Sequence, residues 1–92
     1  MERLSKEEIE DGLGGLDGWA MSDSKIKKVY EFGSFNEAFG FMTRAAMEIE
    51  KMNHHPEWLN VYNRITVELT THDAGGITQN DLKLARILDS LA

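Results

Sequence analysis

Asn53-His54-His55-Pro56-Glu57-Trp58-Leu59-Asn60-Val61-Tyr62-Asn63-Arg64-Ile65-Thr66-Val67-Glu68-Leu69-Thr70-Thr71-His72 is the stretch that decides the fold. Pro56 pushes His55 out of the helical region, so a helix arriving from the N-terminal side ends near Asn53. Beyond the proline, Trp58 to Tyr62 and Arg64 to Thr71 read as strands. In the second, Ile65, Val67 and Leu69 alternate with Thr66, Glu68 and Thr70. Successive strand side chains point to opposite faces, so this pattern predicts one dry face and one that is wet or bound.

Upstream, Phe35, Ala38, Phe39, Met42, Ala45, Ala46, Ile49 and Met52 fall at helical spacing and predict one long amphipathic helix. A second apolar patch around Phe41 leaves two uses open, a partner helix or packing within the monomer. Further back, Lys25 to Phe32 reads as a strand, preceded by a short Trp19-Ala20-Met21 piece and a polar Ser22-Asp23-Ser24 turn. Three helix starts share one device, a hydroxyl residue followed three positions later by an acid: Ser5 with Glu8, Ser34 with Glu37, and Thr78 with Asp81. Such pairs satisfy the free amides of a first turn. Leu4 with Ile9 and Ile77 with Leu82 fit hydrophobic staples around two of them. In the last helix, Leu82, Ala85, Leu88 and Leu91 share a face.

The predicted order is α-β-β-α-β-β-α, two hairpins separated by the long helix. That order implies an α+β two-layer sandwich, a four-stranded antiparallel sheet with three helices on one face, forming a single domain over residues 1–92. A chain of this length buries a modest fraction of its surface, which makes self-association plausible. Its net charge of −6 argues against direct nucleic-acid binding, which depends on clustered Lys and Arg; the short Lys25, Lys27, Lys28 cluster reads as a solvated strand or turn. No cysteine is present, so thiol chemistry is excluded. There is neither a signal-peptide core at the N-terminus nor an apolar run of about eighteen residues, which gives no membrane span and a cytoplasmic expectation, with passive entry to the nucleus.

The chemistry falls to histidine and carboxylate. His54, His55 and His72 lie within nineteen positions, at the ends of the long helix and the last strand. If the topology brings those ends together, three groups able to exchange protons near neutral pH share one cleft. A three-histidine zinc site is chemically reasonable, although the adjacent pair diverges in direction; helix C-capping is the other alternative. Glu50, one turn before His54, is placed to orient or charge that imidazole. Trp58 and Tyr62 could stack on a flat heteroaromatic ligand or serve as core. Asp81 reads as a capping acid or a ligand contact.

Glu50-Lys51-Met52-Asn53-His54-His55-Pro56, then Tyr62 six residues after the proline, His72 ten after Tyr62 and Asp81 nine after His72, resembles the signature of the pterin-4a-carbinolamine dehydratase family. The likeness extends through Phe35 to Arg44 and His54 to Asn63 and covers nearly the whole chain. It implies a four-stranded antiparallel sheet with three helices, dimers joined along sheet edges, and tetramers paired through the long helices. It also implies dehydration of 4a-hydroxytetrahydrobiopterin to quinonoid dihydrobiopterin, with no metal or redox cofactor. His54 and His72 would exchange protons with the departing hydroxyl, and His55 would hold or deprotonate the pterin. Glu50 would tune His54, while Trp58, Pro56, Asp81 and Thr71 would contact the substrate. Animal members also serve as a dimerisation cofactor for a homeodomain transcription factor, through protein contact. A different pterin substrate is a further alternative. Asn53 stands where animal members carry an acid just before the histidine pair.

Overall fold

The computed structural model describes all 92 residues, Met1–Ala92. Helix α1 spans Lys6–Leu13 and starts on a capping box in which Ser5 and Glu8 satisfy each other's backbone amides. Strands β1 (Ala20–Ser22) and β2 (Lys25–Glu31) form the first hairpin, turning at Asp23, whose φ of 58° is left-handed. The long helix α2 runs Phe35–Met52. Ser34 caps it by accepting from Glu37 N at 3.1 Å. The Glu37 carboxylate reaches one residue further back than a capping box requires, accepting from Gly33 N. Strands β3 (Glu57–Val61) and β4 (Arg64–Leu69) form the second hairpin, and α3 (Gln79–Leu91) closes the chain behind the Thr78–Asp81 capping box.

The order α-β-β-α-β-β-α and the four-stranded antiparallel sheet agree with the sequence. Within the sheet the strands lie β1-β2-β4-β3, so β4 pairs with both β2 and β3 and joins the hairpins. The predicted dry face holds: Ile65, Val67 and Leu69 are fully buried, with Ile26 and Tyr30 beside them on β2. Burying these side chains against the helices is the main favourable term in folding.

The phase of α2 differs from the predicted stripe. Ala38, Phe41, Ala45 and Ile49 face the core, Met42 and Met52 are partly buried, and Phe35, Phe39 and Ala46 are exposed. Two apolar stripes share this helix, and the sheet selects between them. Tyr30 and Phe32 offer ring faces to Phe41 at centroid distances of 4.9 and 5.2 Å. The two alanines on the same face leave room for the helix to approach. Of the two uses open for Phe41, packing within the monomer is the one observed, and the apolar surface left outside is Phe35, Phe39 and Met47.

A polar cluster ties α3 to the first hairpin. Asp89 accepts from Trp19 Nε1 at 3.1 Å, Lys28 Nζ at 2.9 Å and Tyr30 Oη at 2.5 Å. Burial, followed by the hydrogen bond to Asp89 and its charge, pushes the Tyr30 phenol well above its ordinary value.

Candidate active site

The C-terminal end of α2 turns the chain sharply just before the histidine pair. Asn53 takes a left-handed conformation, φ 52° and ψ 43°, and its N–H bonds back to the carbonyls of Glu50 and Ile49. Asparagine tolerates this conformation better than most residues, which gives position 53 a backbone role. His54 N donates to Ile49 O, and β3 starts immediately after Pro56.

The third histidine follows β4, the strand paired with β3, whose end lies beside the start of β3. β4 ends at Leu69, two residues earlier than predicted, and His72–Ala74 form a single 3-10 turn that Gly75 closes at φ 74°. Thr71 pairs with Gly76 across this turn, Thr71 N donating to Gly76 O at 2.9 Å.

The predicted convergence is present. Asn53, His54, His55, Thr70, Thr71, His72 and Asp73 line one open cleft of about 290 Å³. His55 also borders a neighbouring slot of about 130 Å³, walled by Trp58, Pro56, Ile49, Ala46 and Glu50. A polar, proton-active cleft thus adjoins a partly apolar slot with an aromatic wall. Tyr62 lies apart, in the β3–β4 turn at φ 53°, and lines neither. Two grooves beside α1, of about 250 and 490 Å³ and lined by residues such as Ile9, Leu13 and Met21, hold no histidine.

The three imidazoles sit in different surroundings. His54 is the most enclosed, its side chain 12% exposed, and its Nε2 lies 2.6 Å from Asp81 Oδ1. His72 is 77% exposed, with Nε2 at 3.9 Å from Glu57 Oε2. His55 Nε2 stands 3.7 Å from Glu50 Oε1. Glu50 therefore meets His55 rather than His54, because the left-handed turn at Asn53 swings His54 off the helical path on which residues four apart would meet. No three His, Asp or Glu side chains lie close enough to share one metal ion.

Asp81 is fully buried. It caps α3 by accepting from Thr78 N at 2.9 Å, as the capping reading required, and it also holds His54. With both oxygens engaged by protein, it reaches a ligand only through its neighbours; Thr71, which donates to Asp81 Oδ2 at 2.8 Å, is one of them. Glu57 and Lys25 are site neighbours that sequence reading missed. Lys25, read there as part of a solvated cluster, is hydrogen-bonded to Glu57 across β4. That hydrogen bond first, and then Lys25's charge, hold the Glu57 carboxyl below its ordinary range, with a smaller contribution from His72. Lys25 begins β2 and Glu57 begins β3, the two strands that flank β4, so their proximity needs the strand order to be known.

The family profile described as Pterin 4 alpha carbinolamine dehydratase matches residues 2–91. A protein of Rhizobium leguminosarum bv. trifolii, provisionally named pterin-4-alpha-carbinolamine dehydratase, is 55% identical over 94 residues, covering 100% of this chain and 93% of its own length. One of the same provisional name from Solibacter usitatus is 54% identical, covering 98% and 95%. Among solved structures, the transcriptional coactivator/pterin dehydratase from Brucella melitensis superposes with a TM-score of 0.96 at 44% identity, over 99% of each chain. A pterin dehydratase-like protein identified as a RuBisCO assembly factor in the alpha-carboxysome shares the fold at 20% identity, with a TM-score of 0.71 over 84% of this chain and 92% of its own.

Proposed function

The chain belongs to the pterin-4a-carbinolamine dehydratase family, and on that premise we propose that it dehydrates 4a-hydroxytetrahydropterin to the quinonoid dihydropterin in the histidine cleft. The observation that carries this reading is the meeting of three imidazoles from two separate chain segments around one cleft, beside a slot walled by Trp58.

The elimination needs a proton delivered to the 4a-hydroxyl, which leaves as water, and a proton removed from a ring nitrogen. The sum is one water lost and no change in oxidation state. His54 and His72 exchange protons with the hydroxyl, and His55, beside the Trp58 slot, holds or deprotonates the ring. Each positioned acid or base is worth roughly 10²–10⁴ in rate. Glu50 acts on His55, and Pro56 and Trp58 form the wall against which the flat ring packs. The biopterin side chain is one candidate substituent; the open cleft admits others.

A second reading is favoured by the exposed apolar residues Phe35, Phe39 and Met47 on α2. That face suits a helical partner, either a second copy of the chain or another protein such as a transcription factor. The free edge of β3, with Leu59 and Val61 exposed, suits edge-to-edge dimer formation. The two readings are compatible and separable: His72→Ala removes turnover and leaves partner binding in place.

The test generates 4a-hydroxytetrahydropterin in situ with an aromatic amino acid hydroxylase and follows its ultraviolet decay. The protein is expected to accelerate the decay, without sensitivity to chelators, and the His54→Ala, His72→Ala double variant is not. Decay at the uncatalysed rate with the unaltered protein would refute the dehydratase reading.

A further inference from the structure

His54 differs from the other two histidines in having a buried carboxylate behind it, and the hydrogen atoms there can be counted. Asp81 Oδ2 accepts from Thr78 N at 2.9 Å and from Thr71 Oγ1 at 2.8 Å. A hydroxyl has one hydrogen to donate. Thr71 gives its hydrogen to Asp81, so in the 2.8 Å contact between Thr71 Oγ1 and Thr78 Oγ1 the hydrogen belongs to Thr78. Thr78 Oγ1 in turn accepts from Asn80 N at 3.3 Å. Every hydrogen runs toward Asp81, which leaves its Oδ1 as an acceptor for His54 Nε2 at 2.6 Å.

The neutral imidazole must therefore carry its hydrogen on Nε2, and Nδ1 keeps the lone pair. Nδ1 has no hydrogen-bond partner in the protein, and no side-chain nitrogen or oxygen of an unexposed residue is both buried and unpartnered. Nδ1 is thus open to solvent, on a residue that lines the cleft. We propose that Asp81 is a positioning residue, held by Thr71 and Thr78, that fixes His54 in its Nε2–H form and makes Nδ1 the atom that exchanges a proton with the pterin. The catalytic half of this rests on the dehydratase reading. When Nδ1 takes a proton, the imidazolium keeps Nε2–H toward Asp81 and is stabilised by its charge. When the proton passes to the departing hydroxyl, the same neutral tautomer returns.

Asp81→Asn tests this directly. Thr78 N can only donate, so the amide oxygen must take the Oδ2 position and the NH₂ group must face Nε2. Nε2 then becomes an acceptor, and the hydrogen moves to Nδ1. Long-range ¹H–¹⁵N NMR of His54, recorded where the ring is neutral, should show Nε2–H in the unaltered protein and Nδ1–H in the variant. The variant's kcat should fall roughly 10²–10⁴-fold, the scale of losing one positioned base or fixing its wrong tautomer, with a smaller change in KM. An Nδ1–H signal in the unaltered protein overturns the proposal, as does an unshifted tautomer in Asp81→Asn or an inverted one with undiminished kcat. Should the variant not fold, Thr71→Val is expected to lose kcat and Thr71→Ser to recover it; equal activity in both would count against the relay. The tautomer is read without substrate, so a protein that shows Nε2–H but turns over no pterin would defeat the dehydratase reading and leave the orientation of His54 intact.

Discussion

Two phenylalanines on one helix, two residues apart, should have opposite fates on truncation. Phe41 is fully buried between Tyr30 and Phe32, whereas Phe39 is 54% exposed and touches Phe35 at a centroid distance of 5.6 Å. Removing a buried phenylalanine ring costs about 3–5 kcal/mol, transfer and cavity terms together. For a domain of this size that is a fall in Tm on the order of 12–40 °C and a large share of total stability. Phe39→Ala forfeits about half of a full ring's burial, roughly 1 kcal/mol, within the monomer. If α2 also carries an interface between copies, Phe39→Ala loses a further contribution that grows with protein concentration, while the loss in Phe41→Ala does not. Urea unfolding of both variants at low and high micromolar protein, alongside sedimentation, measures the two components. Equal destabilisation of the two variants in the monomeric regime would refute the assigned helix phase.

Other consequences are as specific. The Tyr30 phenol loses its proton at higher pH folded than unfolded, so its contribution to stability is fully present below its unfolded value of 10.0 and declines as pH rises through the folded one. Tyr30→Phe should flatten that alkaline loss in urea titrations, at the cost of about 1.5–3 kcal/mol near neutrality from one hydrogen bond to a carboxylate. The Glu57 carboxyl, held low by Lys25, contributes stability that is present above its unfolded value and lost as pH falls through the folded one. Carboxyl NMR should see Glu57 return toward 4.5 in Lys25→Gln and, because the pair is solvent-exposed, in concentrated salt. Thr78→Ala should cost about 1–2 kcal/mol and Ser5→Ala about 0.5–1 kcal/mol by thermal unfolding. The buried Thr78 hydroxyl also supports Thr71, whereas Ser5 is exposed.

Much of the fold was legible because its signals are local. A hydroxyl with an acid three residues on marks each helix start, Pro56 ends α2, and the alternation from Ile65 to Leu69 orients β4. The phase of α2 was not legible, since Phe39 and Phe41 both lie on plausible apolar stripes and only the rings of Tyr30 and Phe32 decide between them. At the site, the three histidines could be found and brought together from topology. Their partners could not: the Glu50–His54 pairing assumes helical spacing that the left-handed Asn53 breaks, and Asp81 stands 27 residues from the imidazole it holds. The Asp89 cluster spans up to 70 residues and leaves no pattern along the chain.

Where a pterin sits decides between the histidine cleft and the grooves beside α1. Titrating a stable oxidised pterin into isotope-labelled protein and following amide and imidazole resonances should perturb His54, His55, Thr71, His72 and the Trp58 indole together. Perturbation confined to the grooves beside α1, at Ile9, Leu13 and Met21, with the histidines unmoved, would contradict it.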